Sequence, residues 1–406
     1  MAERFDIVIV GGGIAGGGLA TVLARAGKQV LLLEKSHEFQ DVVRGEWIAP
    51  WGVVEAKRTG LYADLCTAND YHIPTHIEYG DGLDPATGSE RALNLAFFPG
   101  IPGPLSLGHP QACQALFDAA AAAGAVAIRG VSDVNVSGGD APSVSYTVDG
   151  GEHVAEAKVV AGADGRGSVV RRQAGIELHQ EPTHHFFAGM LVEGADDWPT
   201  DVESMGTEGD VQYFVFPQGP GKLRLYLSYG IEQKSRLAGK DAQQKFLDAF
   251  RLSTVPKSDC IVNAKVAGPC HAIPNHSTWT EVPVAPGIVL LGDAAGYNDP
   301  IIGQGLSISM RDIRVLSELL IGSDQWGPEL FKPYVEERTE RMRRLRIAAA
   351  MDSVVHAEFG PDATARKLRI MANPALAMAR GAAMVGPEML PAEAFDDAAM
   401  AAVVNA

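Results

Sequence analysis

The 406-residue sequence has little cysteine, few positive charges and no long apolar run. Its four cysteines, Cys66, Cys113, Cys260 and Cys270, form no CxxC pair and no cluster of ligand residues. This pattern supports neither a disulfide framework nor a zinc site, and it is typical of reduced thiols in a cytoplasm. No run reaches the ~20 apolar residues that a membrane span needs, and no basic leader precedes the first apolar run. We therefore expect a cytoplasmic protein without a bound metal or a membrane partner.

The charge balance is strongly acidic. Lysine and arginine number 34 against 50 aspartates and glutamates, a net charge of −16 with histidine neutral. Such a surface repels phosphate backbones, which argues against a nucleic-acid partner. With 46% hydrophobic residues, the chain is long enough for two or three domains with a large buried core. The composition does not indicate an oligomeric state.

The N-terminal segment has the pattern of a strand, a glycine-rich turn, a helix and a second strand. The runs Ile7–Val10 and 30–33 are typical of strands buried on both faces of a parallel sheet. Gly11, Gly13 and Gly16 form a GxGxxG pattern between them. The glycines permit a tight turn, close approach of a diphosphate and close packing of helix on strand.

An acidic residue supports a dinucleotide site at this turn. Glu34 lies 18 residues beyond Gly16, at the end of the second strand. A carboxylate there can accept hydrogen bonds from both ribose hydroxyls and would repel a 2′-phosphate, which disfavours NADP as the ligand of this site. The motif alone does not distinguish FAD from NAD.

Two later motifs also follow strand-like runs. Asp164 lies in the sequence GADG, and Asp293 lies in the sequence GDAA. After Pro300, the glycines of segment 303–305 open a helix. The Asp293 carboxylate can bind sugar hydroxyls, and the free N–H groups of the helix start can stabilise negative charge on a ligand.

The middle of the chain has a different pattern. Two extended runs between Asp210 and Gly230 flank the sequence PQGPG at 217–221, and leucines alternate with other residues in the second run. This period of two predicts an antiparallel hairpin in an insert over roughly residues 180–280. The sequence after Leu330 is largely helical in pattern, and its charged run 336–346 is interpreted as a solvated face.

The motifs GxGxxG, GADG and GDAA…PxxGQG, in this order, resemble the single-component (class A) FAD-dependent monooxygenases of the para-hydroxybenzoate hydroxylase fold. The resemblance extends from residue 4 to about residue 340 and implies an α/β fold. It implies a Rossmann-like FAD-binding domain with a parallel sheet, an interleaved antiparallel-sheet substrate domain and a helical C-terminus. We expect the FAD-binding domain at 1–75, 101–180 and 281–345, the substrate domain at 76–100 and 181–280, and the C-terminal helical segment at 346–406.

The resemblance also implies non-covalent FAD and the residues that hold it. The backbone of Pro300 and Gly303 would face the flavin as the catalytic elements, and no side-chain base is assigned. The implied cofactor-binding residues are Gly11, Gly13, Ile14, Ala15, Gly16, Glu34, Lys35, Arg44, His109, Asp164, Gly292, Asp293, Pro300, Gly303, Gln304 and Gly305. The sequence departs from the family at Gly296, where many members have histidine, and at His109, where members have arginine or glutamine.

In this family NADH or NADPH reduces FAD, and O₂ then forms a flavin C4a-hydroperoxide that gives one oxygen atom to the substrate. The resemblance therefore implies hydroxylation of a small aromatic or heteroaromatic compound. Candidate substrate residues on the insert are Tyr213, Phe214, Phe216, Arg224 and Tyr226. The alternative for these residues is ordinary sheet aromatics and a solvated arginine.

Two further pairs have open interpretations. His184 and His185 are either a base that deprotonates a phenol or hydrogen-bonded structural histidines. Trp47 and Trp51 either shield the flavin or pack beneath it.

Other functions remain possible for this fold. A flavin-dependent halogenase would need a Trp-x-Trp-x-Ile-Pro segment and a catalytic lysine near its middle. A reductase of polyprenyl double bonds shares the fold, and a nucleotide-sensing module is the non-enzymatic alternative.

Overall fold

Short runs rich in apolar residues form the central sheet of the protein, in a computed structural model that describes residues 3–43 and 45–406. The strand Ile7–Val10 pairs in parallel with Val30–Glu34, and every residue of both strands is buried. The six strands of this parallel sheet lie in the order Val284–Ala285, Ile288–Leu290, Val159–Gly162, Ile7–Val10, Val30–Glu34 and Val126–Arg129. Only the first pair is antiparallel. The predicted α/β class is confirmed.

Three strands that follow Val126–Arg129 form a second sheet with the short strand Glu3–Arg4, and the sequence pattern did not predict this sheet. Its four strands lie in the order Glu3–Arg4, Gly151–Glu156, Ser143–Val148 and Ser132–Ser137. Many of its residues are partly exposed, so these strands lack the continuous apolar runs of the parallel sheet.

The insert forms a large sheet. Its strands lie in the order Leu93–Asn94, Thr75–Glu78, Val202–Glu208, Val211–Gly219, Lys222–Gly230 and His185–Glu193, and the last of these also pairs with Lys265–Val266 and His271–Asn275. The predicted hairpin is present, but its turn is shorter than the predicted segment 217–221. The strand continues through Pro217 to Gly219 because an irregularity in register accommodates the proline, which leaves Pro220 and Gly221 as the turn.

Short strands and twelve α-helices complete the described chain. Trp47–Ile48, Leu105–Ser106 and Tyr71–His72 form a three-stranded sheet, and His179–Gln180 pairs with Thr278–Trp279. The helices are Ile14–Arg25, Pro50–Arg58, Tyr62–Ala68, His109–Ala122, Val169–Gln173, Ala242–Asp248, Ser258–Val262, Gly305–Ile321, Lys332–His356, Pro361–Ala372, Ala382–Val385 and Asp397–Val404. None of these helices is both long and apolar enough to cross a membrane.

The C-terminal helices cover one face of the large sheet. Met351 of the Lys332–His356 helix shares a buried apolar cluster with Phe214 and Tyr226 of the sheet. Ile301 and Ile302 belong to the same cluster. The segment that carries the third motif therefore lies between the large sheet and the C-terminal helices.

Candidate functional site

The GxGxxG turn contains glycines in two kinds of surroundings. A Cβ on Gly11 would lie 2.4 Å from the carbonyl oxygen of Ala163, and one on Gly16 would lie 1.8 Å from that of Gly11. At Gly13, by contrast, an added Cβ would meet no heavy atom within 4 Å. Packing within the protein therefore requires Gly11 and Gly16, whereas Gly13 borders open space.

That open space lies at the N-terminus of the Ile14–Arg25 helix. Gly13 is the N-cap, no side chain caps the helix, and its first turn contains no acidic residue. The N–H of Gly17 donates to the carbonyl of Gly13 at 2.7 Å. The preceding N–H groups, including those of Ile14 and Ala15, have no acceptor within the helix. Free N–H groups at the positive end of the helix dipole favour an anion there.

Glu34 reaches this turn from the end of the second strand. Its buried carboxylate accepts hydrogen bonds from the N–H of Gly12 at 2.7 Å and from that of Ser36 at 2.8 Å, one on each oxygen. Each oxygen keeps a second lone pair, which is what two ribose hydroxyls require. Lys35, the next residue, is exposed.

The GADG turn lies directly against the glycine turn. The Cα of Asp164 would be 2.8 Å from a Cβ on Gly11. The Asp164 carboxylate accepts hydrogen bonds from Ser168 Oγ at 2.5 Å and from the N–H of Val169 at 2.6 Å. Its side chain thus caps the Val169–Gln173 helix, and the backbone of the turn is what borders the first motif.

The GDAA turn approaches the same helix from the other side. A Cβ on Gly292 would lie 3.0 Å from the Cβ of Ala15. Asp293 is partly exposed and accepts a hydrogen bond from Arg166 Nε at 3.3 Å. The Arg166 guanidinium in turn lies 4.1 Å from the ring centroid of Tyr297. All three motifs therefore meet at the N-terminus of the Ile14–Arg25 helix.

Buried arginines of the Lys332–His356 helix hold the GDAA turn in place. Arg338 donates hydrogen bonds to three carbonyl oxygens of the turn, those of Gly292 at 3.1 Å, Ala295 at 3.0 Å and Gly296 at 3.0 Å. Asp312 accepts hydrogen bonds from Arg338 at 3.1 Å and from Arg341 at 2.6 Å. The interpretation of 336–346 as a solvated face is therefore wrong for both arginines, because they are buried and pair with Asp312 of the neighbouring helix, and Arg341 also pairs with Glu337.

A second open position lies at the start of the Gly305–Ile321 helix. The turn Pro300–Ile302 precedes it, and Gly303 has a φ of +64°, which favours glycine. A Cβ on Gly303 would lie 3.3 Å from the ring of Trp47. A Cβ on Gly305 would meet nothing within 4 Å. Like Gly13, Gly305 borders open space at the N-terminus of a helix.

The side chain of Gln304 points away from this space. Its Oε1 accepts a hydrogen bond from Trp51 Nε1 at 2.8 Å, and its Nε2 donates to the carbonyl of Ala383 at 3.1 Å. Gln304 therefore presents only its backbone at the helix start. Trp51 is buried and packs beneath the turn, whereas Trp47 is partly exposed beside Gly303.

His109, a predicted cofactor residue, lies near the loop that follows the second strand. His109 begins the His109–Ala122 helix, and its Nδ1 lies 3.3 Å from the carbonyl oxygen of Gly45. Its Nε2 lies 3.5 Å from Cys113 Sγ. Arg44 lies outside the described residues, so its role stays a prediction.

Aromatic side chains cover the face of the large sheet next to Gly303. This aromatic floor consists of Phe187, Phe214, Phe216 and Tyr226. Its ring centroids are 4.9 Å apart for Phe187–Tyr226, 5.3 Å for Phe187–Phe214, and 6.1 Å for both Phe214–Phe216 and Phe216–Tyr226. Trp47 lies 6.1 Å from Phe216 and so joins the floor to the Gly303 turn.

Tyr213 does not share this face. Neighbouring residues of a strand point to opposite sides of a sheet, and Tyr213 packs on Phe250 with its hydroxyl 3.1 Å from Ser204 Oγ. The alternation of the strand was visible in the sequence and separates Tyr213 from Phe214 and Phe216. The structure therefore does not bring Tyr213 together with the other candidate substrate residues.

A buried charged cluster, absent from the sequence expectations, lies at one edge of the floor. Arg224 is 2% exposed, so it is not a solvated arginine. Its Nη2 donates to Asp41 Oδ2 at 2.8 Å and pairs with Glu46, which also accepts a hydrogen bond from the Tyr226 hydroxyl. The Nε and Nη1 of Arg224 have no hydrogen-bond partner among the described residues.

The environment of Glu46 alters its acidity. Burial, with a smaller contribution from the nearby Asp41, raises the pKa of its carboxyl to about 7, against the opposing effects of Arg224 and of the hydrogen bond from Tyr226. Two carboxylates compete for one guanidinium, so one of them is readily protonated. The sequence signal was Glu46 itself, in the loop after the second strand, but only the fold shows that Arg224 and Tyr226 meet it.

Comparison with known proteins supports the interpretation of the motifs. A family model described as "FAD binding domain" matches residues 4–348. The chain is 25% identical over 366 residues to menaquinone reductase of Mycolicibacterium smegmatis, covering 86% of this chain and 85% of that protein. It is 24% identical over 321 residues to squalene epoxidase 2 of Arabidopsis thaliana, covering 78% of this chain but only about half, 54%, of the epoxidase.

The fold is also that of solved flavoproteins. The structure of p-nitrophenol 4-monooxygenase PnpA from Pseudomonas putida superposes with a TM-score of 0.76 at 18% identity, covering 98% of this chain and 99% of that one. The predicted resemblance in fold to the class A monooxygenases is confirmed. Because the family model spans most of its length, the chain belongs to the FAD-binding domain family of flavoproteins.

Proposed function

We propose that this protein is an FAD-dependent monooxygenase that hydroxylates a small aromatic or heteroaromatic compound with NADH or NADPH and O₂. The observation that carries the proposal is the aromatic floor beside the Gly303 turn. Trp47 contacts both the turn and Phe216, so an aromatic substrate stacked on the floor would lie next to the cofactor.

The open positions fit the parts of FAD. Gly13 and the free N–H groups of its helix would hold the diphosphate, and Glu34 would accept hydrogen bonds from the adenosine ribose. Asp293 would bind the ribityl chain. The backbone of Gly303 and the open helix start at Gly305 would face the flavin. Bound there, FAD supplies the redox chemistry by taking electrons from the nicotinamide donor and passing them to O₂.

The protein's own part is orientation and charge. The Gly305–Ile321 helix has no side-chain cap, so its N–H groups remain available to stabilise negative charge on the cofactor. The apolar cluster of the floor and the C-terminal helices excludes water from the substrate side. The Tyr226 hydroxyl donates a hydrogen bond to Glu46 at the edge of the floor, and Arg224 has unpaired donors for a polar substituent.

A reductase of isoprenoid double bonds is the second candidate. The likeness to menaquinone reductase, over 85% of that protein, favours it. The two functions both use FAD but differ in the product, which gains oxygen in one case and two hydrogen atoms in the other.

The test begins with purification in the presence of FAD and measurement of the flavin absorption band. Aromatic compounds and isoprenoid quinones are then screened for stimulated oxidation of NADH or NADPH. The proposal predicts stimulation by an aromatic compound and an oxygenated product. A colourless protein that does not bind FAD would refute the whole assignment, and an isoprenoid product with two added hydrogens would favour the reductase.

A further inference from the structure

Two histidines and an aspartate form a polar cluster next to the Pro300–Ile302 turn. His184 and His185 lie at the start of the His185–Glu193 strand, and Asp299 immediately precedes the turn. The two Nδ1 atoms are 2.6 Å apart. His184 Nε2 lies 3.3 Å from Asp299 Oδ2, and His185 Nε2 lies 3.4 Å from Asp299 Oδ1.

The cluster connects the interior with solvent. The side chains of His185 and Asp299 are 1% and 2% exposed, whereas that of His184 is 41% exposed. Asp299 also shapes the turn, since its Oδ1 accepts a hydrogen bond from the N–H of Ile301 at 2.9 Å. A proton that enters at His184 is therefore one contact away from Asp299, the residue that precedes Pro300.

Counting protons shows that the cluster can hold two or three of them. In the two-proton state His184 donates through Nδ1 to His185 Nδ1, and the proton of His185 lies on Nε2, 3.4 Å from Asp299 Oδ1. The Asn275 side chain lies 3.2 Å from the same Nε2, and rotation of its amide presents Oδ1, which has no partner otherwise, to that N–H group. In the three-proton state His184 also carries a proton on Nε2, 3.3 Å from Asp299 Oδ2, an oxygen that has no hydrogen-bond partner among the described residues.

The same geometry argues against a metal ion, for which the three side chains are otherwise suitably placed. A metal bound by both Nε2 atoms and the carboxylate would require a proton on each Nδ1. Those two protons would then face each other across 2.6 Å. The short Nδ1–Nδ1 contact therefore requires one shared proton.

We propose that His184, His185 and Asp299 form a proton relay between solvent and the Pro300–Ile302 turn. This inference rests on the proposed function, because hydroxylation consumes one proton: RH + O₂ + NAD(P)H + H⁺ gives ROH + H₂O + NAD(P)⁺. His184 Nε2 first takes a proton from a solvent acid, which gives the three-proton state. The N–H bond at Nε2 then breaks as an O–H bond forms on Asp299 Oδ2, and the carboxyl group passes this proton to the oxygen atom that leaves as water.

Neighbouring charges set the pH at which the third proton binds. Burial and the adjacent His185 lower the pKa of His184 below 6.5, while Asp299 and Glu181 oppose this. His276 also faces His184 and lowers its pKa, and Asp352 of the Lys332–His356 helix lies near Asp299. The two-proton state therefore predominates at neutral pH, where the cluster can accept a proton from solvent.

The first test uses full-length protein with ¹⁵N-labelled histidine rings, with and without FAD, titrated by NMR. The relay predicts that His184 and His185 change together in one step below pH 6.5. In Asp299→Asn this step moves to lower pH because the carboxylate that stabilises the cation is gone. His179→Gln, which removes a ring outside the cluster, leaves the step unchanged. Separate titration of the two rings, or equimolar Zn²⁺ binding to both Nε2 atoms, would overturn the relay.

The second test is chemical rescue in the FAD-loaded protein. His184→Ala is expected to slow NAD(P)H oxidation at saturating substrate by about tenfold or more, and imidazole in the buffer restores the rate, while His179→Ala needs no rescue. A His184→Ala rate that equals wild type, or that imidazole leaves unchanged, would overturn the relay. Failure of the wild-type protein to bind FAD would instead refute the proposed function, which flavin absorbance reports separately.

Discussion

Replacement of Gly13 by alanine separates the role of this glycine in the fold from its role toward a ligand. The added Cβ meets no protein atom within 4 Å, and the backbone of Gly13, with φ −71° and ψ −162°, suits alanine. A glycine-to-alanine change at an unstrained position stabilises by about 0.4–1 kcal/mol, and alanine is less favourable than glycine as an N-cap by roughly 0.5–1 kcal/mol, so the two effects oppose each other. We therefore expect the unfolding free energy of the apoprotein to change by less than about 1 kcal/mol.

The same methyl group would occupy the space assigned to the cofactor diphosphate. Overpacking of this size costs about 1–3 kcal/mol, and about 1.4 kcal/mol is a tenfold change in affinity, so the Kd for FAD should rise roughly 5- to 150-fold. Urea unfolding of the apoprotein and titration with FAD followed by flavin fluorescence measure the two effects.

Two matched variants make this result interpretable. Gly327→Ala adds a methyl at another open N-cap, with φ −86°, and should change neither stability nor FAD affinity. Gly16→Ala places its Cβ 1.8 Å from the Gly11 carbonyl oxygen and should prevent stable folding. Unchanged FAD affinity in Gly13→Ala would refute the assignment of the diphosphate site. Unfolding of that variant would refute the claim that a Cβ on Gly13 meets no protein atom.

Three further predictions concern the buried polar groups. The pKa of Glu46 is raised from 4.5 to about 7, so the native state retains a proton that the unfolded state loses. The unfolding free energy of the wild type should therefore fall by about 3 kcal/mol as the pH rises from 4.5 to about 7. Urea unfolding of Glu46→Gln should lack this fall, and the same pH dependence in both proteins would contradict the prediction. Arg338→Met should destabilise the protein by about 3 kcal/mol and weaken FAD retention because Asp312 loses one of its partners, whereas an unchanged unfolding midpoint would show that the ion pair does not support the turn. Tyr226→Phe should alter the pH profile of NAD(P)H oxidation, whereas Tyr213→Phe should lower only the unfolding free energy, by about 1 kcal/mol. Equal effects of the two variants on turnover would contradict the placement of Tyr226 and Tyr213 on opposite faces of the sheet.

The sequence predicted those parts of the fold that depend on local pattern. A continuous β-branched run identified Ile7–Val10, a continuous apolar run identified its parallel neighbour, and the leucine alternation identified the Lys222–Gly230 strand. The second sheet was missed because its strands are half exposed and carry no continuous apolar run. The turn at Pro217 was misplaced because accommodation of a proline in a strand depends on the neighbouring strand.

Contacts between distant segments could not be predicted. Arg338 lies in a charged run that reads as a solvated face, and only the packing of its helix on Asp312 buries it. Likewise Glu46 and Arg224 are 178 positions apart in the sequence, and their pairing depends on the large sheet meeting the loop after the second strand. Gly11 and Gly16 were predictable because Gly11 has a positive φ and a Cβ on Gly16 would meet the carbonyl oxygen of Gly11, close by in the chain, whereas the ligand role of Gly13 stays a prediction.

The net charge of −16 describes the whole chain and not the site. Near the three motifs, buried or partly buried arginines such as Arg166, Arg171 and Arg338 bond to backbone carbonyls or to carboxylates. Helix N-termini at Gly13 and Gly305 supply the remaining positive potential. An acidic protein can therefore accommodate an anionic dinucleotide.

The most direct test of the central claim is turnover under isotopically labelled O₂ with the aromatic compound that best stimulates NAD(P)H oxidation. Mass spectrometry of the product then shows where the oxygen comes from. Our proposal predicts one labelled oxygen atom in each product molecule, with product formation dependent on bound FAD. A product without the label, or one that has only gained two hydrogen atoms, would contradict the monooxygenase assignment.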